Sequence, residues 1–98
     1  MYLNVIRSYR DVVAVCDKEL LGQKFEEGIR QLDVKENFYK GEEVSENEAL
    51  EIMQRWAAED ATFNIVGHKA VAVALRAEII EPESVGHVAG IPFVLVVI

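Results

Sequence analysis

The chain of 98 residues is 51% hydrophobic and 28% charged, and it carries a formal net charge of −7 with an isoelectric point near 4.7. This length fits a single α+β domain over residues 1–98 that buries somewhat more than ~60% of its unfolded surface. The negative charge repels a phosphate backbone and argues against direct nucleic-acid binding, and the longest apolar run, IPFVLVVI, is too short for a membrane helix of roughly 20 residues.

The beginning of the chain predicts a β-hairpin followed by a short helix. Residues 3–7 and 11–16 are rich in β-branched side chains, and the short polar connection SYRD joins them. Asp17 then stands where a helix N-cap is expected, and Gly28 stands where a left-handed C-terminal residue is expected. Apolar residues recur at helical spacing between these two positions, so we predict a helix there.

The middle of the chain predicts two extended segments and a second helix. Residues 29–34 alternate apolar and polar side chains, and residues 38–44 carry aromatic and β-branched side chains around a Lys-Gly turn. Ser45 and Glu48 have the spacing of a capping box, in which each side chain accepts a hydrogen bond from the other's backbone N–H. An apolar stripe follows on one face and predicts a helix over about residues 46–59.

The stretch TFNIVGHKAVAVALRAEII, residues 62–80, contains Gly-His-Lys without forming a phosphate-binding loop. Thr62 and Ala70 occupy the places where such a loop has a glycine and a Ser or Thr. The residues after the lysine alternate like a strand and also form a helical stripe, and their alanine content and length favour a helix. Pro82 ends this helix, and residues 85–88 predict a short strand.

Six consecutive apolar residues, 93–98, follow Pro92 at the end of the chain. They predict a strand covered on both faces, because an exposed run of this kind promotes aggregation. Pro92 belongs at the beginning or the edge of the strand, since proline donates no hydrogen bond to a ladder. The strand either completes the sheet of its own chain or pairs with a second copy, and the second alternative predicts a homodimer.

The sequence also predicts a cytoplasmic protein. Cys16 is the only cysteine, so no disulfide can form within the chain and nothing indicates an oxidising compartment. The first residues, MYLNVIRSYR, lack the basic region and the long apolar run of a signal peptide.

Few residues could carry chemistry. Cys16, His68 and His87 are the only residues of the usual soft-metal type, and their spacing matches no preorganised zinc site, so we predict no metal, no cofactor and no catalytic residue. Asp17 follows Cys16, and its charge opposes thiolate formation unless a helix N-terminus offsets it. A buried structural thiol is the favoured interpretation, and the alternative is a pocket near Cys16, Asp17 and His68.

Four spaced segments, VAVCDKELLGQKFEEG, FYKGEEV, FNIVGHKAV and GHVAGIP, resemble the DUF424 family of small archaeal proteins of unknown function. The resemblance runs from about Val5 to Pro92 and implies a single α+β domain in an archaeal cytoplasm. Together with the elements above, it leads us to expect a two-layer arrangement of about three helices on a mostly antiparallel sheet of four to five strands. The resemblance implies no catalytic residues, and by association it implies a link to translation.

The chain departs from the family's pattern after Pro92. Family members tend to carry a polar, often histidine-containing segment there, whereas residues 93–98 of this chain are wholly apolar. A function that depends on the family's C-terminal segment therefore does not transfer to this chain.

Three functional hypotheses follow from these observations. The favoured one is a non-enzymatic protein–protein interaction module that acts as a homodimer, because the chain is acidic, no ligand set is preorganised and the apolar tail needs a partner strand. The second is a small enzyme or ligand-binding protein with its pocket near Cys16, Asp17 and His68. The third is RNA binding through a local basic patch, made of Arg7, Arg10, Lys18 and Lys24.

Overall fold

The computed structural model describes residues 1–97, and within them it has eight strands and three helices. The strands are β1 (Tyr2–Ile6), β2 (Val12–Cys16), β3 (Lys24–Glu27), β4 (Arg30–Asp33), β5 (Glu42–Glu43), β6 (Thr62–Val66), β7 (Gly86–Val88) and β8 (Ile91–Val96). The helices are α1 (Glu36–Tyr39), α2 (Glu46–Ala58) and α3 (His68–Arg76). Two 3₁₀ turns complete the set, Lys18–Leu20 and Pro82–Ser84.

Six strands form the main sheet in the order β5-β1-β2-β6-β8-β7, and β3 and β4 form a separate two-stranded sheet. Among the described strands, β2 and β6 pair in parallel, and all other neighbours pair antiparallel. The expectation of an α+β protein with a mostly antiparallel sheet is therefore confirmed. The expected number of four to five strands is wrong, because the main sheet has six.

Both faces of the main sheet bury apolar side chains, because successive residues of a strand point to opposite faces. On the first face, Val13 and Val15 of β2 pack in a core with α2 and α3. On the second face, Ala14 and Cys16 pack in a smaller core with Tyr39 of α1 and with the β3-β4 hairpin. The two-layer expectation is corrected accordingly, because part of the second face carries a further layer.

The helix predicted over about residues 46–59 is confirmed as α2, together with its capping box. The N–H of Glu48 donates to the Ser45 hydroxyl at 3.1 Å, and the N–H of Ser45 donates to the Glu48 carboxylate at 3.0 Å. These hydrogen bonds hold the pKa of Glu48 below its ordinary value. The helical interpretation of the residues after Lys69 is confirmed by α3, and the short strand before the tail is confirmed by β7.

The helix predicted between Asp17 and Gly28 is wrong. After one 3₁₀ turn, Gly22 adopts a φ of 83° and donates its N–H to the carbonyl of Val34 at 2.7 Å, which ends the helical path. The chain continues as β3, and Gly28, with a φ of 62°, forms the turn of the β3-β4 hairpin. A glycine with positive φ serves a hairpin turn as well as a helix end, so the sequence signal was ambiguous.

Two further segments differ from the sequence predictions. Residues 38–44 are extended only at Glu42–Glu43, because the N–H groups of Tyr39 and Lys40 donate to Lys35 and Glu36 in the helical turn of α1. The sequence patterns do not predict the strand β6, because its residues run directly into the alanine-rich helix.

The apolar tail forms β8 and completes the sheet of its own chain between β6 and β7. Pro92 is the second residue of this strand, and its carbonyl accepts a hydrogen bond from the N–H of Gly67 at 2.9 Å. The prediction of a strand covered on both faces is wrong for its final part, because Leu95 and Val97 are 60% and 69% exposed. Ile98, the last residue of the predicted strand, lies outside the described residues.

Candidate functional site

The carboxyl ends of the parallel strands β2 and β6 meet at one end of the main sheet, a place where α/β sheets commonly bind ligands. Asp17 directly follows β2, and its N–H donates to the carbonyl of Val66 at the end of β6, at 3.1 Å. Among residues 1–97, Asp17 is the one charged residue that is buried, with 3% of its surface exposed. All three residues predicted to line a pocket, Cys16, Asp17 and His68, therefore lie at this end, because His68 begins α3 two residues after β6.

Both carboxylate oxygens of Asp17 accept hydrogen bonds from the first turn of α3. The N–H of Lys69 donates to one oxygen at 3.0 Å, and the N–H of Ala70 donates to the other at 2.8 Å. The first amides of a helix lack partners within the helix and carry partial positive charge, so a carboxylate satisfies and stabilises them. Asp17 thus caps α3 from a neighbouring strand, and it occupies the position where a ligand anion would bind.

Gly67, the residue that precedes α3, makes this close approach possible. Its φ is 112°, and a Cβ built on it would lie 2.3 Å from Cγ of Asp17. A side chain at this position would therefore strain the backbone and collide with the carboxylate. The requirement for glycine in Gly-His-Lys comes from this internal contact.

Cys16 lies in the core of the second face and is fully buried. Burial, and secondarily the charge of Asp17, raise the pKa of the thiol to about 11. Very little thiolate is present at neutral pH, and the thiolate is the nucleophilic form. The interpretation of Cys16 as a structural thiol fits this environment.

His68 begins α3 and is exposed, as is His87 on β7. Cys16 faces the second core, and both oxygens of Asp17 accept hydrogen bonds from amides. The pocket lined by Cys16, Asp17 and His68 stays a prediction. No group of three His, Cys, Asp or Glu side chains within residues 1–97 is placed to hold a metal ion. None of the helices in that range is long and apolar enough to cross a membrane.

The four basic residues proposed as a patch lie at two ends of β2. Arg7 and Arg10 belong to the connection before β2, and Lys18 and Lys24 follow it, so the length of the strand, about 16 Å, separates the two pairs. Lys18 lies 3.1 Å from a carboxylate oxygen of Glu43, and Lys24 forms an ion pair of its own with a neighbouring glutamate. The structure therefore does not bring the four residues into one patch.

The main sheet is open along part of both sides, which the sequence patterns did not predict. β5 pairs with only the first two residues of β1, and β7 pairs with only residues 91–93 of β8. If β5 were longer, Lys40 would pair with Val5, but its N–H donates to Glu36 in α1. If β7 were longer, Ser84 would pair with Leu95, but its N–H donates to the carbonyl of residue 81 in a 3₁₀ turn.

The hydrogen-bond alternation of the ladders shows which backbone groups face outward in these gaps. Met1 and Val44 exchange hydrogen bonds at 2.9 and 3.2 Å, so the odd-numbered residues of β1 direct their N–H and C=O groups away from β2. The carbonyl of Pro92 faces β6, so the odd-numbered residues of β8 face the other way. We name residues 5–7 the β1 open edge and residues 95–97 the β8 open edge.

Comparison with known proteins places the fold in a family. The family model described as "Protein of unknown function (DUF424)" matches residues 6–98. The chain belongs to the DUF424 family. A crystal structure of an uncharacterized conserved protein from Methanopyrus kandleri resembles this DUF424 chain with a TM-score of 0.86 and 26% sequence identity, over 96% of this chain and 87% of that one. No curated protein matches the chain.

The resemblance inferred from the four sequence segments is thus confirmed, and the match of the DUF424 model includes the apolar tail. Neither comparison describes an activity or a ligand. A functional assignment for this DUF424 protein therefore depends on its own geometry.

Replacing Asp17 by Ala in this DUF424 protein is expected to lower the free energy of unfolding by about 1–3 kcal/mol, because two amides lose their acceptor. Gly67→Ala is expected to be more destabilising in the wild-type chain than in the Asp17→Ala background, where the collision with the carboxylate is absent. A double-mutant cycle in denaturant measures the coupling, expected at about 1 kcal/mol or more. Asp33→Ala, at an exposed aspartate, is the control, and additive effects at positions 17 and 67 would contradict the capping role.

Cys16 is expected to react with iodoacetamide about a hundredfold more slowly in the folded protein than in the unfolded chain. The rise of its pKa from 9.0 to about 11 lowers the thiolate fraction by that factor, and burial slows access further. Mass spectrometry of the alkylated protein against time, with and without denaturant, gives the two rates. Fast modification of the folded protein would favour the enzyme hypothesis over a structural thiol.

The free energy of unfolding is expected to fall as the pH rises from 9.0 towards 11. Cys16 keeps its proton in the folded state up to a pKa of about 11 but loses it near 9.0 when unfolded, so unfolding releases a proton in this window. Tyr39, whose pKa burial raises from 10.0 to about 12, extends the decline upward. Denaturant midpoints across this range should fall less steeply for Cys16→Ala, and an equal slope in both proteins would rule out the contribution of Cys16.

Proposed function

We propose that this DUF424 protein is a non-enzymatic protein–protein interaction module of the cytoplasm, and that two copies associate by pairing their β8 open edges. The observation that supports this most directly is the end of β8, where apolar side chains and outward-facing backbone groups occur together. Leu95 and Val97 are 60% and 69% exposed, although both are large and apolar. A strand edge of this kind is a template for another strand.

The surroundings of the β8 open edge leave room for an added strand. A depression beside it is lined by Val94, Leu95, Val96 and Val97 and by residues of the segment 78–84. The N–H of Ser84 is used inside its own 3₁₀ turn, so this segment does not pair with Leu95. A strand from a second copy would supply the missing hydrogen bonds and cover the two exposed side chains.

The short strands at the two sides of the sheet favour a closed dimer over an open chain of copies. In an antiparallel pairing of two β8 open edges, each β7 flanks the beginning of its own β8. The two β7 strands therefore lie at opposite ends of the shared edge and do not meet. In a head-to-tail pairing, β8 of one copy would lie beside β1 of the next, and these strands run in the same direction. β5 and β7 both flank the first residues of their neighbours, so they would then occupy the same space.

The competing hypothesis of an enzyme has less support. It needs a reactive group near Cys16, Asp17 and His68, whereas the thiol is buried and protonated and the carboxylate is bound to two amides. The link to translation that the family resemblance implied is part of the proposal. Purification of the tagged protein from its own cells, with and without nuclease, tests that link through the partners that remain bound.

The wild-type protein is expected to have twice its chain mass of 11.0 kDa in solution, and Leu95→Glu is expected to have the single chain mass. A charge at the centre of the shared edge costs desolvation and repels its copy across the two-fold axis. Light scattering after gel filtration gives the masses, and thermal unfolding checks that the variant is folded. Because Glu78 and Glu81 flank the same edge, the dimer is expected to tighten when salt screens their repulsion.

Ile29→Glu is the matched control, because Ile29 is fully exposed in the turn between β3 and β4 and does not line the depression beside the β8 open edge. This variant is expected to remain dimeric. Amide exchange of Leu95 and Val97 should also be slow in the dimer and fast after dilution to the monomer. A monomeric wild-type protein, or a folded Leu95→Glu variant that stays dimeric, would refute pairing through this edge.

A further inference from the structure

The β1 open edge lies on the opposite side of the main sheet from β8, and it borders a groove beneath α2. We propose that this groove binds an extended segment of another protein as an added strand, and that an acidic side chain of the segment pairs with Arg55. This site goes beyond the proposed homodimer, since it would remain free when two copies associate through β8.

The backbone of β1 is available to a partner from Val5 onward. The bonds between Met1 and Val44 direct the odd-numbered residues of β1 outward, and β5 has already left the edge at this point. Gly41 lies so close to β1 that a Cβ on it would be 2.3 Å from the carbonyl oxygen of Leu3. The chain before this contact belongs to α1, where the N–H of Lys40 is bound to Glu36, so this N–H does not pair with Val5.

The groove has an apolar floor that suits an extended segment. Val5, Ile52 and Trp56 are partly buried, and they pack against the core of the first face. Two depressions of about 380 Å³ each adjoin along this line, and Arg55 and Trp56 line both of them. Alternate side chains of an added strand would point into this floor, as they do in other strand-addition complexes.

The groove carries both signs of charge, and Arg55 is the charged residue that both depressions share: Glu42 lines one of them, and Asp11 and Glu59 line the other. The guanidinium of Arg7 lies 5.3 Å from the centre of the Trp56 ring and is bound to Asp11 at 3.1 Å, so its charge is largely used within the chain. Arg55 is exposed at the end of α2, and no residue among 1–97 forms a hydrogen bond or ion pair with it. A carboxylate beside the apolar floor would pair with this guanidinium.

The proposed segment is therefore extended, with an apolar and an acidic residue on the same face. Residues two apart in a strand share a face, so these two residues are separated by one other. A proline or an N-methylated residue at the position that pairs with Val5 would abolish binding, because it removes the N–H that the added strand donates.

The test uses synthetic peptides of eight residues in which valine and threonine alternate, with one central glutamate and a distant lysine that keeps the peptide uncharged. Trp56 is the only tryptophan of the chain, so its fluorescence reports binding at this groove directly. We expect a change in Trp56 emission that saturates below about 1 mM peptide, together with slower exchange of the Val5 amide. A peptide with central lysine and an N-methylated version of the glutamate peptide serve as matched probes.

Arg55→Glu is expected to weaken binding of the glutamate peptide by about fivefold or more and to strengthen binding of the lysine peptide. Lys35→Glu makes the same charge change at an exposed position outside the groove and is expected to leave both affinities unchanged. The exchange of preference distinguishes an ion pair at this site from a general effect of net charge, and thermal unfolding checks that both variants are folded.

Three results would overturn the proposal: no binding of the glutamate peptide near 1 mM, equal binding of the lysine and glutamate peptides, or protection of the Leu95 amide in place of that of Val5. The proposed dimer is tested separately, because the Leu95→Glu variant should bind the glutamate peptide as tightly as the wild-type protein does. A dimeric wild-type protein that does not bind the glutamate peptide would refute the groove beside β1 alone, and a monomeric wild-type protein that binds it would refute the pairing of β8 alone.

Discussion

The contact between Asp17 and the first turn of α3 is the constraint on which the rest of the structure depends. It joins β2 to the helix that follows β6, across 52 and 53 positions of sequence, and so fixes α3 over the first face. A buried carboxylate is costly unless it is hydrogen-bonded, and here two helix amides supply the partners that a cation would otherwise supply. The same contact dictates glycine at position 67 and fills the end of the parallel strand pair.

A fold of this size cannot cover every part of its sheet. The second face is covered only where the β3-β4 hairpin and α1 lie, and the edges are covered only where β5 and β7 pair, along two and three residues. One end of the sheet is thus covered at both edges by these two short strands, and the other end is left with outward-facing backbone groups. The two proposed interaction surfaces follow from this incomplete coverage rather than from any cluster of reactive side chains.

Local signals allowed part of the fold to be predicted from the sequence. The capping box of Ser45 and Glu48 identified α2 because both partners lie within four residues, and the first hairpin and the apolar tail were recognised by their β-branched residues. The helix between Asp17 and Gly28 was predicted wrongly because the residues that compete with it, such as Val34, are distant in sequence. Cys16 and Asp17 are candidate site residues because they are neighbours in sequence, but the hydrogen-bond partners of Asp17 lie in α3, more than 50 positions away. The open edges depend on where β5 and β7 end, and no local sequence pattern encodes that.

The parallel pairing of β2 with β6 also has a consequence for how the chain assembles. β1 and β2 can form their hairpin as soon as residues 2–16 are synthesised, but the second edge of β2 meets its partner only when residues 62–66 arrive, with Val12 opposite Thr62. Closing a loop of this length costs entropy before any pairing compensates for it, so this step is expected to limit the rate of folding. Until then β2 keeps an unprotected edge, and nascent chains are most prone to aggregate during that interval.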